Sequence, residues 1–159
     1  MFVAFPFLAL LAIGTACSAL GCVLPFAAIS AVAASTLPRR SALVVVGAVW
    51  LIDQAMGFTL HAYPRNPSTL AWGVALGLAA FVSYGVARIV SANPFAAFLA
   101  AFVSFEVVLV LFSFALGGWD AYAPRWLIPI FAINAAWFAG THVALRVIAH
   151  RGFDLNAPR

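Results

Sequence analysis

The sequence predicts an all-α fold, a polytopic bundle of short transmembrane helices. Hydrophobic residues make up 66% of the chain and charged residues only 8%, whereas a soluble domain carries about 25% charged residues. Apolar runs of near-spanning length alternate with short breaks rich in proline, glycine and charge. The eight basic residues are all arginines, and they lie between the apolar runs without forming a basic stripe. This distribution argues against nucleic acid as a partner and favours a lipid bilayer.

Breaks at proline, glycine and charged residues divide the chain into apolar segments, each a predicted helix. A spanning helix needs about 20 predominantly apolar residues. The predicted helices cover residues 2–18, 26–37, 41–58, 70–90, 95–116 and 126–148. They form one transmembrane domain over 1–149, which a polar tail follows at 150–159.

The first two segments have an alternative interpretation as one helix, which would lower the count to five. A single helix over 2–35 would measure about 51 Å, against about 30 Å for the hydrocarbon core. Gly21 and Pro25 also lie where a turn between two helices is needed. We therefore predict six helices.

The arginines also predict the orientation of the bundle. If both termini are cytoplasmic, the outer loops carry two arginines, Arg65 and Arg125. The inner elements then carry the other six, namely Arg39, Arg40, Arg88, Arg146, Arg151 and Arg159. This asymmetry obeys the positive-inside rule, and it predicts a multi-pass protein of the cell inner membrane.

Small residues spaced four apart predict close packing between the helices, because they let helix backbones approach each other. The pairs are Ala12 with Ala16, Ala27 with Ala31, Gly73 with Gly77, and Ala75 with Ala79. They favour a compact bundle and do not specify a partner.

Asp53 is a candidate binding residue because it lies near the predicted outer end of the third helix. It is about 7 Å below the end of the segment at Phe58. A carboxylate at that depth suits the floor of an outward-facing pocket. The alternative is a structural ion pair with Arg65 or Arg125, and the sequence leaves both open.

Glu106 lies midway along the fifth segment, where an ionisable group is costly. No second carboxylate or lysine at that depth would form a proton relay with it. We therefore expect Glu106 to make structural hydrogen bonds, with Asn134 or His142 as partners.

The predicted outer loops concentrate aromatic and polar side chains. An interfacial aromatic belt explains such residues in any membrane protein. Loops 59–69 and 117–125, however, share one face with the turn at 19–25, and together they would cap a small-molecule site. The candidate substrate contacts in these loops are His61, Tyr63, Trp119, Asp120 and Tyr122.

No catalytic, metal or cofactor signature is present. The chain has no HExxH, Walker or GxGxxG pattern and no close histidine pair. Cys17 and Cys22 have neither redox nor zinc spacing. We predict a protein that is not an enzyme and that has no cofactor or metal.

One stretch, 25–57, resembles a known family. It opens on Pro25 with a small-residue helix, passes a basic turn at 38–40, and ends in Asp-x3-Gly at Asp53 and Gly57. This looks like the second and third helices of S components, the substrate-binding membrane subunits of energy-coupling-factor vitamin transporters. The six-helix layout is similar as well.

The resemblance implies a protein that binds a vitamin-sized solute under the outer loops for uptake. It also implies that the small-residue face of the first helix, with Ala12 and Ala16, contacts a transmembrane coupling subunit. The first helix lacks a clean alanine repeat of the family's coupling type. A second hypothesis is a non-catalytic accessory or assembly subunit of a larger membrane complex.

Overall fold

The computed structural model describes residues 4–20, 25–119 and 123–154, and these residues hold six helices and no strand. The helices are α1 (Ala4–Ala19), α2 (Phe26–Thr36), α3 (Arg39–Thr59), α4 (Pro67–Ile89), α5 (Pro94–Leu116) and α6 (Pro124–Asp154). The all-α, six-helix prediction is confirmed. The five-helix alternative is wrong, because α1 and α2 are separate helices. Four helices, α3 to α6, are long and apolar enough to cross a membrane.

Helices α4 and α5 begin before the apolar runs that predicted them. Each starts with a proline, preceded by an asparagine cap. The Asn66 side chain accepts a hydrogen bond from the backbone N–H of Thr69 at 2.8 Å, and Asn93 caps α5 in the same way. Such caps satisfy N–H groups that have no partner within the helix. Polar caps and prolines therefore belong to these helices although they break the apolar pattern.

Helix α6 differs from its prediction at its C-terminal end. It continues to Asp154, beyond the predicted end at 148. The predicted polar tail is therefore helical over 150–154. Its remaining residues, 155–159, lie outside the described part of the chain.

Helix α2 is the centre of the bundle. It has 11 residues, a length of about 16 Å, or about half of the hydrocarbon core. Every residue from Phe26 to Ala34 is buried, and α2 packs against all five other helices. Alanines and a serine make most of this surface, so that the surrounding backbones approach closely.

Side-chain contacts place α2 in one half of the bundle. Its first residue, Phe26, stacks on Phe105, the midpoint of α5, with 5.8 Å between ring centroids. Farther along, the Ser30 hydroxyl donates to the carbonyl of Ala80 in α4 at 3.3 Å. The C-terminal end of α2 lies beside Arg88, in the last turn of α4. The helix therefore extends from the predicted inner end of the bundle to its middle.

Arg88 caps the C-terminal end of α2. Its guanidinium donates to the carbonyl of Ala34 and, at 3.2 Å, to that of Leu37. Both residues are buried. Carbonyls in the last turn of a helix lack partners within it, and a cation there also interacts favourably with the helix dipole.

Replacing Arg88 with methionine is expected to lower the free energy of unfolding by about 2 kcal/mol, because two buried carbonyls lose their donor. The measurement is equilibrium unfolding in mixed micelles with increasing sodium dodecyl sulfate. The control is Arg40→Met, since Arg40 is exposed at the same end of the bundle. Equal losses in the two variants would show that the cap contributes nothing specific.

Three of the four predicted small-residue pairs are used inside the bundle. Ala27 and Ala31 are buried in α2, and α4 buries both Gly73 with Gly77 and Ala75 with Ala79. In α1, however, Ala12 and Ala16 are exposed, while Gly14 faces the side chain of Val49 in α3. The fourth pair, Ala12 with Ala16, is therefore not buried by any of the described helices.

Candidate functional site

A cluster of polar side chains joins α1 to the C-terminal end of α3. The Ser18 hydroxyl donates to Asp53 Oδ1 at 3.2 Å, and Gln54 Nε2 donates to Asp53 Oδ2 at 3.2 Å. His61, just beyond α3, donates through Nε2 to the Ser18 carbonyl at 2.7 Å. These four residues, Ser18, Asp53, Gln54 and His61, form what we call the Asp53 cluster.

The turn after α3 has an unusual backbone. Ala62 has a φ of 51°, in the left-handed region that residues with a Cβ rarely adopt. This conformation folds the chain back, so that the Tyr63 N–H donates to the Gly57 carbonyl at 3.0 Å. Strained residues of this kind concentrate at functional sites. Here the turn brings His61 and Tyr63 over the end of α3.

The Tyr63 ring lies against Gly57, where a larger residue would place its Cβ. A Cβ built on Gly57 would lie 2.7 Å from Cδ2 and Cε2 of Tyr63, closer than a methyl group can approach. Tyr63 also lies near His61, with 6.0 Å between ring centroids, and near Phe58, at 6.5 Å. The Asp-x3-Gly pattern thus has a physical basis, because the two residues are one turn apart and the glycine leaves room for the ring.

The structure brings together some of the predicted contacts. Asp53, His61 and Tyr63 lie at one end of α3. Trp119 packs instead against Phe114 of α5, with ring centroids 4.1 Å apart. The other two predicted contacts, Asp120 and Tyr122, lie outside the described residues.

Asp53 is held by uncharged groups. Its hydrogen bonds come from Ser18 and Gln54, and not from Arg65 or Arg125, which are exposed. Ser18 and Gln54 were not among the residues predicted from the sequence. Both are polar residues within apolar segments, which was the available signal, since such residues usually face the inside of a bundle.

The partners expected for Glu106 are engaged elsewhere or face other groups. Asn134 accepts from the Ala28 N–H at 3.2 Å and donates to the Ile130 carbonyl at 3.0 Å. The His142 ring stacks on Phe138 at 5.6 Å, and neither of its nitrogens has a hydrogen-bond partner among the described residues. The expectation that Glu106 pairs with Asn134 or His142 is therefore wrong. Asn134 is needed by α2, because it satisfies an N–H in the first turn of that helix.

Two apolar grooves open between α6 and its neighbours. One, of about 500 Å³, lies between Ile13 of α1 and the face of α6 from Ile133 to Ala144. The other, of about 300 Å³, lies between α5 and Leu127 of α6, and Glu106 is one of its lining residues. We call them the α1–α6 groove and the α5–α6 groove.

The donor atoms of the Asp53 cluster suit hydrogen bonding more than metal binding. Within the described ranges, no three residues of the types His, Cys, Asp and Glu are grouped so that they could hold a metal ion. The cluster instead combines one carboxylate with a hydroxyl, an amide and an imidazole.

The chain matches no family model, no curated protein and no solved structure.

Proposed function

We propose that the chain is a multi-pass protein of the cell inner membrane that binds a vitamin-sized solute at its outer face for uptake, in the manner of an S component. The observation that supports this most strongly is the half-length helix α2, which is buried at the centre of the bundle. It begins at the level of Phe105, in the middle of α5. Transport proteins commonly build substrate sites at helices that start within the membrane.

The start of α2 offers backbone donors at that depth. The first N–H groups of a helix have no partners within it, and they carry the positive end of the helix dipole. In α2, Asn134 satisfies the N–H of Ala28. Because Phe26, Ala27 and Ala28 are buried, our proposal requires the bundle to open before a polar group of the solute binds toward this end of the helix.

The Asp53 cluster supplies the side-chain contacts in this proposal. Solute pockets are largely apolar and contain a few well-placed polar groups. Asp53 and His61 would bind polar groups of the solute, and the exposed Tyr63 ring would stack on it. Because Ser18 and Asp53 link α1 to α3, a solute that competes for Asp53 would also weaken that link. Binding would thus favour a rearrangement of the bundle.

A second candidate function is that of an accessory subunit in a larger membrane complex. The exposed Ala12 and Ala16 and the neighbouring α1–α6 groove favour this candidate. Small residues on a lipid-facing surface allow another helix to pack closely. The same face would serve a coupling subunit in the transport proposal, so a partner alone does not distinguish the two functions.

A test of solute binding distinguishes them. The purified protein is heated with each member of a vitamin panel, and its unfolding temperature is measured. A ligand at a hundredfold excess over its Kd is expected to stabilise the fold by about 2.7 kcal/mol. We expect Asp53→Asn to lose this stabilisation, and the control Arg65→Gln to keep it, since Arg65 lies exposed in the loop between α3 and α4.

Two results would contradict this proposal. If no vitamin raises the unfolding temperature and the protein co-purifies with a large membrane complex, the accessory function replaces the transport function. If a vitamin stabilises wild type and Asp53→Asn equally, the solute binds elsewhere and the Asp53 cluster is structural.

A further inference from the structure

Contacts along the seam between α3 and α4 define which residues of these two antiparallel helices face each other. The facing pairs, from the predicted outer end inward, are Gln54 with Gly73, Trp50 with Gly77, and Gly47 with Phe81. Successive members on each helix are three or four residues apart, the spacing that keeps residues on one helix face. The last pair is close, because a Cβ built on Gly47 would lie 3.3 Å from Cζ of Phe81. The register of the two helices is therefore fixed.

This register brings two arginines to the same level at the predicted inner end. Arg40 lies two helical turns before Gly47 in α3, and Arg88 lies two turns after Phe81 in α4. Residues two turns apart share a helix face and are about 11 Å apart along the axis. A hydrogen bond agrees with this placement, since the Arg88 guanidinium donates at 3.2 Å to the carbonyl of Leu37, just before α3. Arg40 and Arg88 thus flank the inner end of the seam.

The seam is open between the Gly47–Phe81 contact and the two arginines. Gly85 lies at this level on α4, and a Cβ built on it would have no neighbouring atom within 4 Å. By the same register Leu43 of α3 lies opposite, and it is 37% exposed. Phe81, at the closed end of the gap, is 38% exposed. The gap is therefore a shallow apolar notch on the lipid-facing side of the bundle, which we call the Gly85 notch.

The two arginines have no anionic partner among the described residues. Both are exposed, and neither forms an ion pair with a carboxylate in this part of the chain. Arg88 donates both of its helix-capping hydrogen bonds through Nη1. A guanidinium has five N–H donors, so those on Nε and Nη2 of Arg88 remain available. Two positive charges with free donors therefore border the Gly85 notch.

The depth of these charges in a membrane indicates what would neutralise them. Helix α3 begins at Arg39 and α4 ends at Ile89, and both helices are long and apolar enough to cross a membrane. Their shared end therefore lies where the hydrocarbon core meets the lipid head groups. Basic side chains between helices at this level attract anionic head groups, and arginine matches the geometry of a phosphate.

We propose that the Gly85 notch binds an anionic phospholipid. The head-group phosphate bridges Arg40 and Arg88, and one acyl chain lies over Gly85 between Leu43 and Phe81. An acidic peptide would pair with the arginines but would leave the apolar notch unfilled. This lipid site is separate from the outer-face solute site, and it does not depend on the function proposed for that site.

The test titrates the purified chain in uncharged detergent with phosphatidylglycerol, and native mass spectrometry gives the Kd. Phosphatidylcholine with the same acyl chains is expected to bind more weakly, because its amine offsets the phosphate charge. Arg40→Gln is expected to raise the Kd for phosphatidylglycerol about fivefold and to leave that for phosphatidylcholine unchanged. The matched control is Arg65→Gln, which removes one charge at the predicted outer end and is expected to bind phosphatidylglycerol like the wild type.

A steric pair of variants tests the location of the acyl chain. Gly85→Phe fills the notch and is expected to raise the Kd about fourfold or more, the loss of at least one buried methylene. Leu78→Phe is the control, since Leu78 is 47% exposed on the same helix about two turns away, and it is expected to change nothing. Circular dichroism and gel filtration check that each variant is folded. If Arg40→Gln does not fold, Arg40→Lys and the steric pair still decide the proposal, because lysine keeps the charge and most of the affinity.

Three results would overturn the proposal. Equal phosphatidylglycerol affinity in wild type, Arg40→Gln and Arg65→Gln would show that the lipid does not bind at the arginines. Equal affinity of the wild type for the two lipids would show that the notch does not select an anionic head group. Full competition by inorganic phosphate, together with an unchanged Kd in Gly85→Phe, would show that the arginines bind a free anion and that no acyl chain lies in the notch.

Discussion

Replacing Gly77 with alanine is expected to lower the free energy of unfolding by about 3 kcal/mol. A Cβ at this position would lie 2.7 Å from Cε2 and 2.9 Å from Nε1 of Trp50. The indole is rigid, and its Nε1–H donates to the Gly73 carbonyl at 2.9 Å. Room for the new methyl group therefore requires either that this hydrogen bond break or that α3 and α4 separate.

The matched control for this variant lies in the same helix. A Cβ at Gly85 would have no neighbouring atom within 4 Å, so Gly85→Ala is expected to leave stability unchanged or to raise it slightly through helix propensity. Unfolding in mixed micelles compares the two. A Trp50→Leu background should remove most of the cost of Gly77→Ala, because the contact is then absent. An additive double variant would contradict the proposed clash.

Replacing Asn134 with leucine is expected to destabilise the bundle by a similar amount, about 3 kcal/mol. Asn134 is buried and accepts from the N–H of Ala28 in the first turn of α2. Leucine has nearly the same size but no acceptor, so the N–H would remain unpaired inside an apolar bundle. This contact also links α6 to α2, and its loss would weaken the attachment of α6.

Ile133→Leu is the control for this second variant. Ile133 is the neighbouring residue, and it faces the α1–α6 groove where a change of branching is tolerated. The free energy of unfolding and hydrogen exchange at the Ala28 amide are measured in both. If Asn134→Leu unfolds like the wild type and the amide stays protected, another group satisfies that N–H.

The sequence predicted which segments are helices much better than how those helices face each other. Pro38, Pro67 and Pro94 mark the starts of α3, α4 and α5, where the backbone N–H that proline lacks would have no partner within the helix. The side of each helix that faces its neighbours is harder to predict. In a soluble helix the polar face marks the outside, whereas lipid-facing and core-facing residues of a membrane helix are both apolar. The central position of α2 was therefore hidden, although its small residues and short length hinted at it.

The sequence likewise predicted only some of the residues of the candidate site. Asp53 stood out because carboxylates are rare in spanning segments, and the loop after it contributed His61 and Tyr63. Ser18 was not foreseen, because its contact with Asp53 depends on how α1 is rotated against α3. Glu106 was assigned partners by depth alone, and residues at one depth need not share a helix face.

The burial of α2 also sets an order for assembly during synthesis. Ala28 and its acceptor Asn134 are 106 residues apart in the chain, so at usual rates of translation the acceptor follows about 5–20 s after the amide it serves. A segment this short does not fill the bilayer by itself, and until α6 arrives its first turn lacks that acceptor. Insertion of α6 is thus the step that completes the core, and variants that slow it would leave a nascent chain exposed to membrane proteases.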